Sequence, residues 1–196
     1  QYFVCVLAVL ATTITPHSAF AADLGSDVKL GADVRFRNEL IQSEKSSDQF
    51  RQRLKGRISL SGKANDHVLV GTRLATSQGN KATSTNTDLG GSDSAGMKNH
   101  TVFVDTFYFD YKATDAFSIM GGKFDNPFHT TSEMIWDGDV TPEGLNLKFN
   151  FECSENLSWW VNGGGYWSKE NSSAADEVLG AIQAGVHTKA GEIKIT

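Results

Sequence analysis

The chain has 196 residues, with 18 Lys and Arg against 23 Asp and Glu, a formal net charge of -5 and 39% apolar residues. So mild an acidity leaves no basic footprint for nucleic acid, and beyond the first residues no apolar run reaches the ~18 residues of a membrane-spanning helix. A mean hydropathy of -0.30 does not exclude a membrane protein of the other kind, because barrel strands alternate lipid-facing apolar with lumen-facing polar residues and average out as polar.

Residues 2–14 form an apolar run followed by Ala19-Phe20-Ala21, a small-x-small cleavage pattern. The expectation is a signal peptide over residues 1–21, cut near Ala21/Ala22 and clipped at its own N-terminus, since no Lys, Arg or Met precedes the run. Cys5 falls in this leader and leaves Cys153 alone in residues 22–196, so no disulfide is expected there. Neither cysteine sits in a lipoprotein-type cleavage site.

From residue 28 to 41, Val28, Leu30, Ala32, Val34, Phe36 and Leu40 alternate with Lys29, Asp33, Arg35, Arg37 and Glu39. This is the period of two of a β-strand. From 51 to 64 it returns, with Leu54, Ile58, Leu60 and Ala64 on one face and Arg51, Arg53, Lys55, Arg57 and Lys63 on the other. A β-sandwich would have to cover the apolar face with a second sheet and would have little use for so cationic an opposite face. Further strands are predicted at 68–77, 101–112, 117–124, 145–152, 157–167 and 178–188, with another beginning at Ile193 and stopping at Thr196. In the 101–112 strand Asp105 shares parity with Phe103, Phe107, Phe109 and Tyr111. A bulge near Asp105 and Thr106 restores the phase, turning Val102 and Val104 outward on one side of it and Phe107, Phe109 and Tyr111 on the other.

The connections alternate: 42–50, 78–100, 125–144 and 168–177 are long, whereas 65–67, 113–116, 153–156 and 189–192 are short. Outer-membrane barrels alternate long extracellular loops with short periplasmic turns. Phe109, Tyr111, Phe117, Phe149, Phe151 and Trp159 cluster near the short-turn ends and Trp167 near a long-loop end, as aromatic girdles do. Pro127 and Pro142 both fall in one long loop, where no strand ladder needs their missing N–H. The fold class expected is all-β: an antiparallel transmembrane β-barrel over residues 22–196, partial, with about eight to nine strands of a larger barrel.

Arg73-Leu74-Ala75-Thr76, Gly122-Lys123-Phe124-Asp125-Asn126-Pro127-Phe128 and the stretch from Trp136-Asp137-Gly138-Asp139 to Pro142-Glu143-Gly144 resemble the "putative porin" family of bacterial outer-membrane proteins. The resemblance implies a longer chain that forms a diffusion channel, without catalytic residues and without a particular substrate. General porins are often trimers, which makes a homotrimer the assembly the resemblance suggests.

Two clusters are candidates for setting what passes. Arg35, Arg37, Arg51, Arg53, Lys55, Arg57 and Arg73 come from three consecutive strands and should form a cationic wall, tuning selectivity or merely keeping the lumen wet. The loop 125–144 carries Glu133, Asp137, Asp139 and Glu143 beside Phe128, Met134, Ile135 and Trp136, more apolar bulk than a solvated loop needs. By analogy with general porins it folds inward and sets its acids against the wall; the alternative is an extracellular loop packed on itself. Asp137-Gly138-Asp139 with Glu143 hints at calcium but lacks the spacing of the twelve-residue calcium loop, so no metal and no cofactor is expected.

Catalysis of the Ser-His-acid kind is not expected, since His67 and His187 fall near the short turns and neither His100 nor His129 has a nucleophile pattern beside it. Glycines 163–165 lie within a strand with no helix after them to hold a phosphate. The glycosylation sequons at Asn99, Asn156 and Asn171 are chance matches in a bacterial barrel. The reading is therefore a passive channel for small hydrophilic solutes or ions, weakly anion-selective, embedded in outer-membrane lipids. The alternative is a non-conducting barrel whose long loops serve structure or adhesion.

Overall fold

The computed structural model describes residues 20–23, 27–42, 47–78, 82–90, 99–130, 136–190 and 193–195, with the backbone alone for 20–23, 189–190 and 193–195. The predicted leader lies outside the described residues as far as residue 19. Among the described residues eleven strands form one sheet: β1 (Phe20–Asp23), β2 (Val28–Ile41), β3 (Gln49–Lys63), β4 (Val68–Ser77), β5 (Thr87–Leu89), β6 (Thr101–Lys112), β7 (Phe117–Lys123), β8 (Glu143–Ser154), β9 (Leu157–Lys169), β10 (Glu177–Ala190) and β11 (Ile193–Ile195). Neighbours in sequence pair antiparallel along the path from β1 to β11, except that β5 leaves the path and pairs β3. The sheet is open, with β1 and β11 as its two ends among the described residues.

Short turns and long loops alternate as the sequence predicts. At the first short turn Ala64 N donates to Val68 O at 2.8 Å and the Asn65 carboxamide oxygen accepts from His67 N and Val68 N, both at 2.9 Å. That local side-chain capping lets four residues reverse the chain.

The two faces have opposite chemistry. Among the described residues three apolar side chains are buried, Ala75, Phe124 and Tyr166, against eleven polar or charged ones. Large apolar groups line the exposed face instead: Val34, Phe36, Leu40, Ile58, Leu60, Val104, Leu145 and Leu147 among them, with Phe107 62% and Ile182 80% accessible. A water-soluble sheet of this size would bury such groups, each worth roughly 1.5–3 kcal/mol when removed from water. Such a face is suited to hydrocarbon. Phe117 and Phe149 stack at 4.5 Å and Phe149 and Phe151 at 6.3 Å between ring centroids, a continuous aromatic band on the side of the short turns.

The bulge in β6 falls where the pattern requires it. Arg73 pairs Thr106 and Leu74 pairs Val104, so Asp105 is the extra residue. Asp105 and Thr106 both turn to the polar side, 4% and 2% accessible, while Val102, Val104, Phe107, Phe109 and Tyr111 lie exposed on the other.

β1 and β5 were not legible as strands. β1 pairs Phe20 with Ala32 through Asp23 with Lys29, so the step predicted for leader cleavage falls within a paired segment. β5 lies in what the sequence reads as a long loop. β4 pairs only residues 57–63 of β3, which would leave the rest of that edge unsatisfied. β5 covers part of it through Gln52 with Leu89, Arg53 with Asp88 and Leu54 with Thr87.

Candidate functional site

Pairing of β2 with β3 sets Arg35 across from Lys55, Arg37 from Arg53, Glu39 from Arg51 and Asp33 from Arg57. Alternation then puts all eight side chains on one face. Unrelieved, so many like charges on neighbouring strands would repel, and carboxylates occupy the gaps. Glu39 accepts from Arg37 at 2.7 Å and from Arg51 at 2.6 Å, with Arg53 at 3.6 Å. Asp33 holds Arg57 at 2.8 Å. Arg53 Nε also lies 2.9 Å from Asp88 of β5, a charge contact without hydrogen-bond alignment.

Arg73 stands apart from this cluster. The β6 bulge presents Asp105 to its Nε at 2.5 Å, and Asp125 takes both terminal nitrogens at 2.6 and 3.0 Å. Neither carboxylate stands out in the sequence as Arg73's partner, because one depends on a bulge and the other on the path of a loop.

Two loops meet over the wall. In the segment 82–90, Asn86 Oδ1 accepts from Arg35 at 2.9 Å and Ser84 Oγ from Arg53 at 3.5 Å. Thr76 Oγ1 donates to Thr85 O at 3.0 Å, and Thr85, Asn86 and Thr87 are buried. The sequence marks this stretch only as Ser-, Thr- and Asn-rich, a composition equally suited to a solvated loop.

The second loop, described over residues 124–130 and 136–142, meets the polar face through both of these segments. Near its start Asn162 Nδ2 donates to Pro127 O, and His129 and Gln183 exchange two hydrogen bonds at 2.8 and 2.9 Å, tying the chain to β9 and β10. Phe124 and Phe128 pack edge-on against Tyr166, at 6.3 and 5.9 Å between ring centroids. Near its end Asp139 reaches β3: Lys55 Nζ lies 2.6 Å from its Oδ1, Arg57 at 4.0 Å, and Thr85 N donates to Oδ2 at 3.4 Å. Asp139 thus joins both loops to the wall.

The four predicted loop acids therefore separate. Asp139 meets the cations. Glu143 begins β8 and pairs with Lys123 at 2.9 Å, away from the wall. Asp137 accepts the N–H of Asp139 at 2.8 Å and shapes the turn. Glu133 lies outside the described residues, as do Met134 and Ile135. Asp137, Asp139 and Glu143 face different partners and do not converge as a calcium site would require.

Burial alone would push the Asp139 carboxyl up, but the Lys55 hydrogen bond and charge, the Thr85 N–H and Arg57 outweigh it and hold the carboxyl below the usual carboxylate range. Because the docked-state value is depressed, the stabilisation of docking is complete above the free-carboxyl value and lost as pH falls through the depressed one. Docking should thus persist from neutral pH to about pH 4 and fail only in stronger acid. Amide hydrogen exchange across residues 136–142, corrected for the intrinsic rate at each pH and followed from pH 7 to pH 3 in detergent, checks this; protection lost between pH 5 and 7 contradicts it.

A sheet with one face suited to lipid, an opposite face dense in paired charge and a loop drawn across that face is the wall of a transmembrane β-barrel. Over residues 14–192 the chain matches the family described as "Putative porin", and it belongs to that family. The family gives it a porin-like role in the outer membrane. No curated protein matches the chain.

Proposed function

We propose that the protein is a passive diffusion channel for small hydrophilic solutes and ions, constricted by the loop from Phe124 to Pro142 and weakly selective for anions. The observation that carries this reading is the contact of Asp139 with Lys55, which draws the loop onto the charged face from its anchor at Gln183. Outer-membrane lipids cover the apolar face, and a leader over residues 1–21 directs export.

Charge balance supports a weak preference. Seven wall cations, Arg35, Arg37, Arg51, Arg53, Lys55, Arg57 and Arg73, face six carboxylates, Asp33, Glu39, Asp88, Asp105, Asp125 and Asp139. Arg35 is the wall cation without an ion pair among the described residues; its described partner is the neutral Asn86. Planar-bilayer conductance under a salt gradient tests the reading. Stable ohmic steps with a small anion-favouring reversal potential are expected, and Arg35→Glu should turn that potential toward cations. A wild-type pore that already favours cations would contradict the selectivity, and a folded but silent protein would assign the barrel a structural or adhesive role.

A further inference from the structure

We propose that a cleft on the polar face, below the anchored start of the constriction loop, binds a small zwitterion of the α-amino acid class, its ammonium on Asp110 and its carboxylate on Lys148. The site rests on reading this face as a water-filled lumen, and it supplies that reading with a solute class.

The cleft has a volume of about 220 Å³, with a floor formed by β6 to β9 and a rim at Pro127. Asp110 pairs Met120, which pairs Asn146, and Lys148 lies two residues further along β8. The carboxylate and the ammonium are thus about 10 Å apart across the strands and about 7 Å along them at the backbone, before the side chains reach toward each other. That leaves a gap of small-molecule length between opposite charges.

Neither charge has a hydrogen-bond or ion-pair partner among the described residues. Asp110 Oδ1 accepts no hydrogen bond among the described residues and is screened from bulk solvent, an arrangement that costs stability and that a turn of the carboxylate about its χ2 relieves by bringing this oxygen to the cleft. Lys148 is exposed, makes no hydrogen bond or ion pair among the described residues, and supplies the opposite charge whose field reaches Asp110. Lys112, on the same cleft, is already held by Asp115 at 2.8 Å.

The amides beside Lys148, Asn146 on its own strand and Asn162 across from it on β9, are fixed and keep spare donors. Asn146 Nδ2 gives one N–H to Asn162 Oδ1 at 2.6 Å, Asn162 Nδ2 gives one to Pro127 O, and Tyr166 OH donates to Asn146 Oδ1 at 2.7 Å. Each carboxamide retains a second N–H, a donor suited to a carboxylate. A lone anion would leave Asp110 unpaired, a lone cation would leave Lys148 and the amides unused, and a neutral sugar would leave both charges unmatched. A zwitterion answers all three.

Equilibrium dialysis of radiolabelled L-alanine against the refolded full chain in detergent tests the site. Retained alanine should be displaced by unlabelled alanine, about tenfold less well by propionate or ethylamine, and not by glycerol; Asp110→Asn and Lys148→Gln should each weaken retention about tenfold. Lys148 is exposed, so its variant tests the site without endangering the fold. No retention at millimolar alanine, equal displacement by propionate or ethylamine, or an unaffected Lys148→Gln overturns the proposal. Dialysis requires no conduction: a silent protein that holds alanine keeps the site and refutes the channel, and a conducting protein that does not hold it does the reverse.

Discussion

In the Lys55→Glu variant the single-channel conductance should rise and the open level should grow noisier, because the loop proposed as the constriction should leave the wall. Lys55 and Asp139 are 9% and 15% accessible and 2.6 Å apart. Removing one partner of a buried pair costs about 3–5 kcal/mol, and the new glutamate adds repulsion to that loss. Even about 3 kcal/mol shifts the ratio of docked to released loop more than about a hundredfold. The long Thr85 N–H contact to Asp139, at 3.4 Å, should be lost with the ion pair, whereas the Pro127 and His129 anchors remain, so the loop should swing out from its far end while its start stays in place. The charge-exchanged double variant, Lys55→Glu with Asp139→Lys, should return the conductance most of the way to wild type. If Lys55→Glu conducts as wild type does, the loop is not the constriction.

Gly122→Ala should have the largest effect on stability. Gly122 has a φ of 114°, and a Cβ built on it would lie 2.3 Å from Phe107 O and 3.0 Å from Tyr108 Cα. Both obstacles are backbone of the neighbouring strand, so no rotamer change relieves them. The positive φ alone costs about 1–2 kcal/mol for a residue with a Cβ, and parting β6 from β7 raises the total to about 3 kcal/mol or more. Gly90→Ala separates the two contributions, since Gly90 has a φ of 89° with nothing within 4 Å of the built Cβ. Urea unfolding in detergent should show a shift for Gly122→Ala at least about twice that of Gly90→Ala. Equal shifts would mean that the close approach of β6 and β7 at Gly122 contributes nothing.

Lys55 and Arg73 differ from their partners in how legible they are in the sequence. Lys55 stands in the alternation of the second cationic strand, so its face is legible from parity, but its partner lies 84 residues away in sequence. Parity says which way a side chain points and nothing about what a loop brings to it. The same limit parts Asp139 from Glu143, two acids four residues apart in one loop, of which one meets the wall and the other Lys123. Arg73 was legible as a wall cation, yet its carboxylates Asp105 and Asp125 depend on the bulge and on where the loop departs.

What the amino-acid sequence determines by itself is whatever the two-residue period controls. The positions of the long strands, the lipid-suited face, the charged face and the β6 bulge follow, because a single misplaced acid among Phe103, Phe107 and Phe109 breaks the alternation visibly. Alternating short and long connections follow as well, since turn residues act locally. Tertiary structure alone decides what crosses the polar face: β5 covering the open edge of β3, the docking of residues 82–90 on Arg35 and Arg53, and the reach of Asp139 to Lys55. Loops have no period, and their course is set by long-range charge pairing and by the unsatisfied backbone of distant strands, neither of which leaves a local pattern in the sequence.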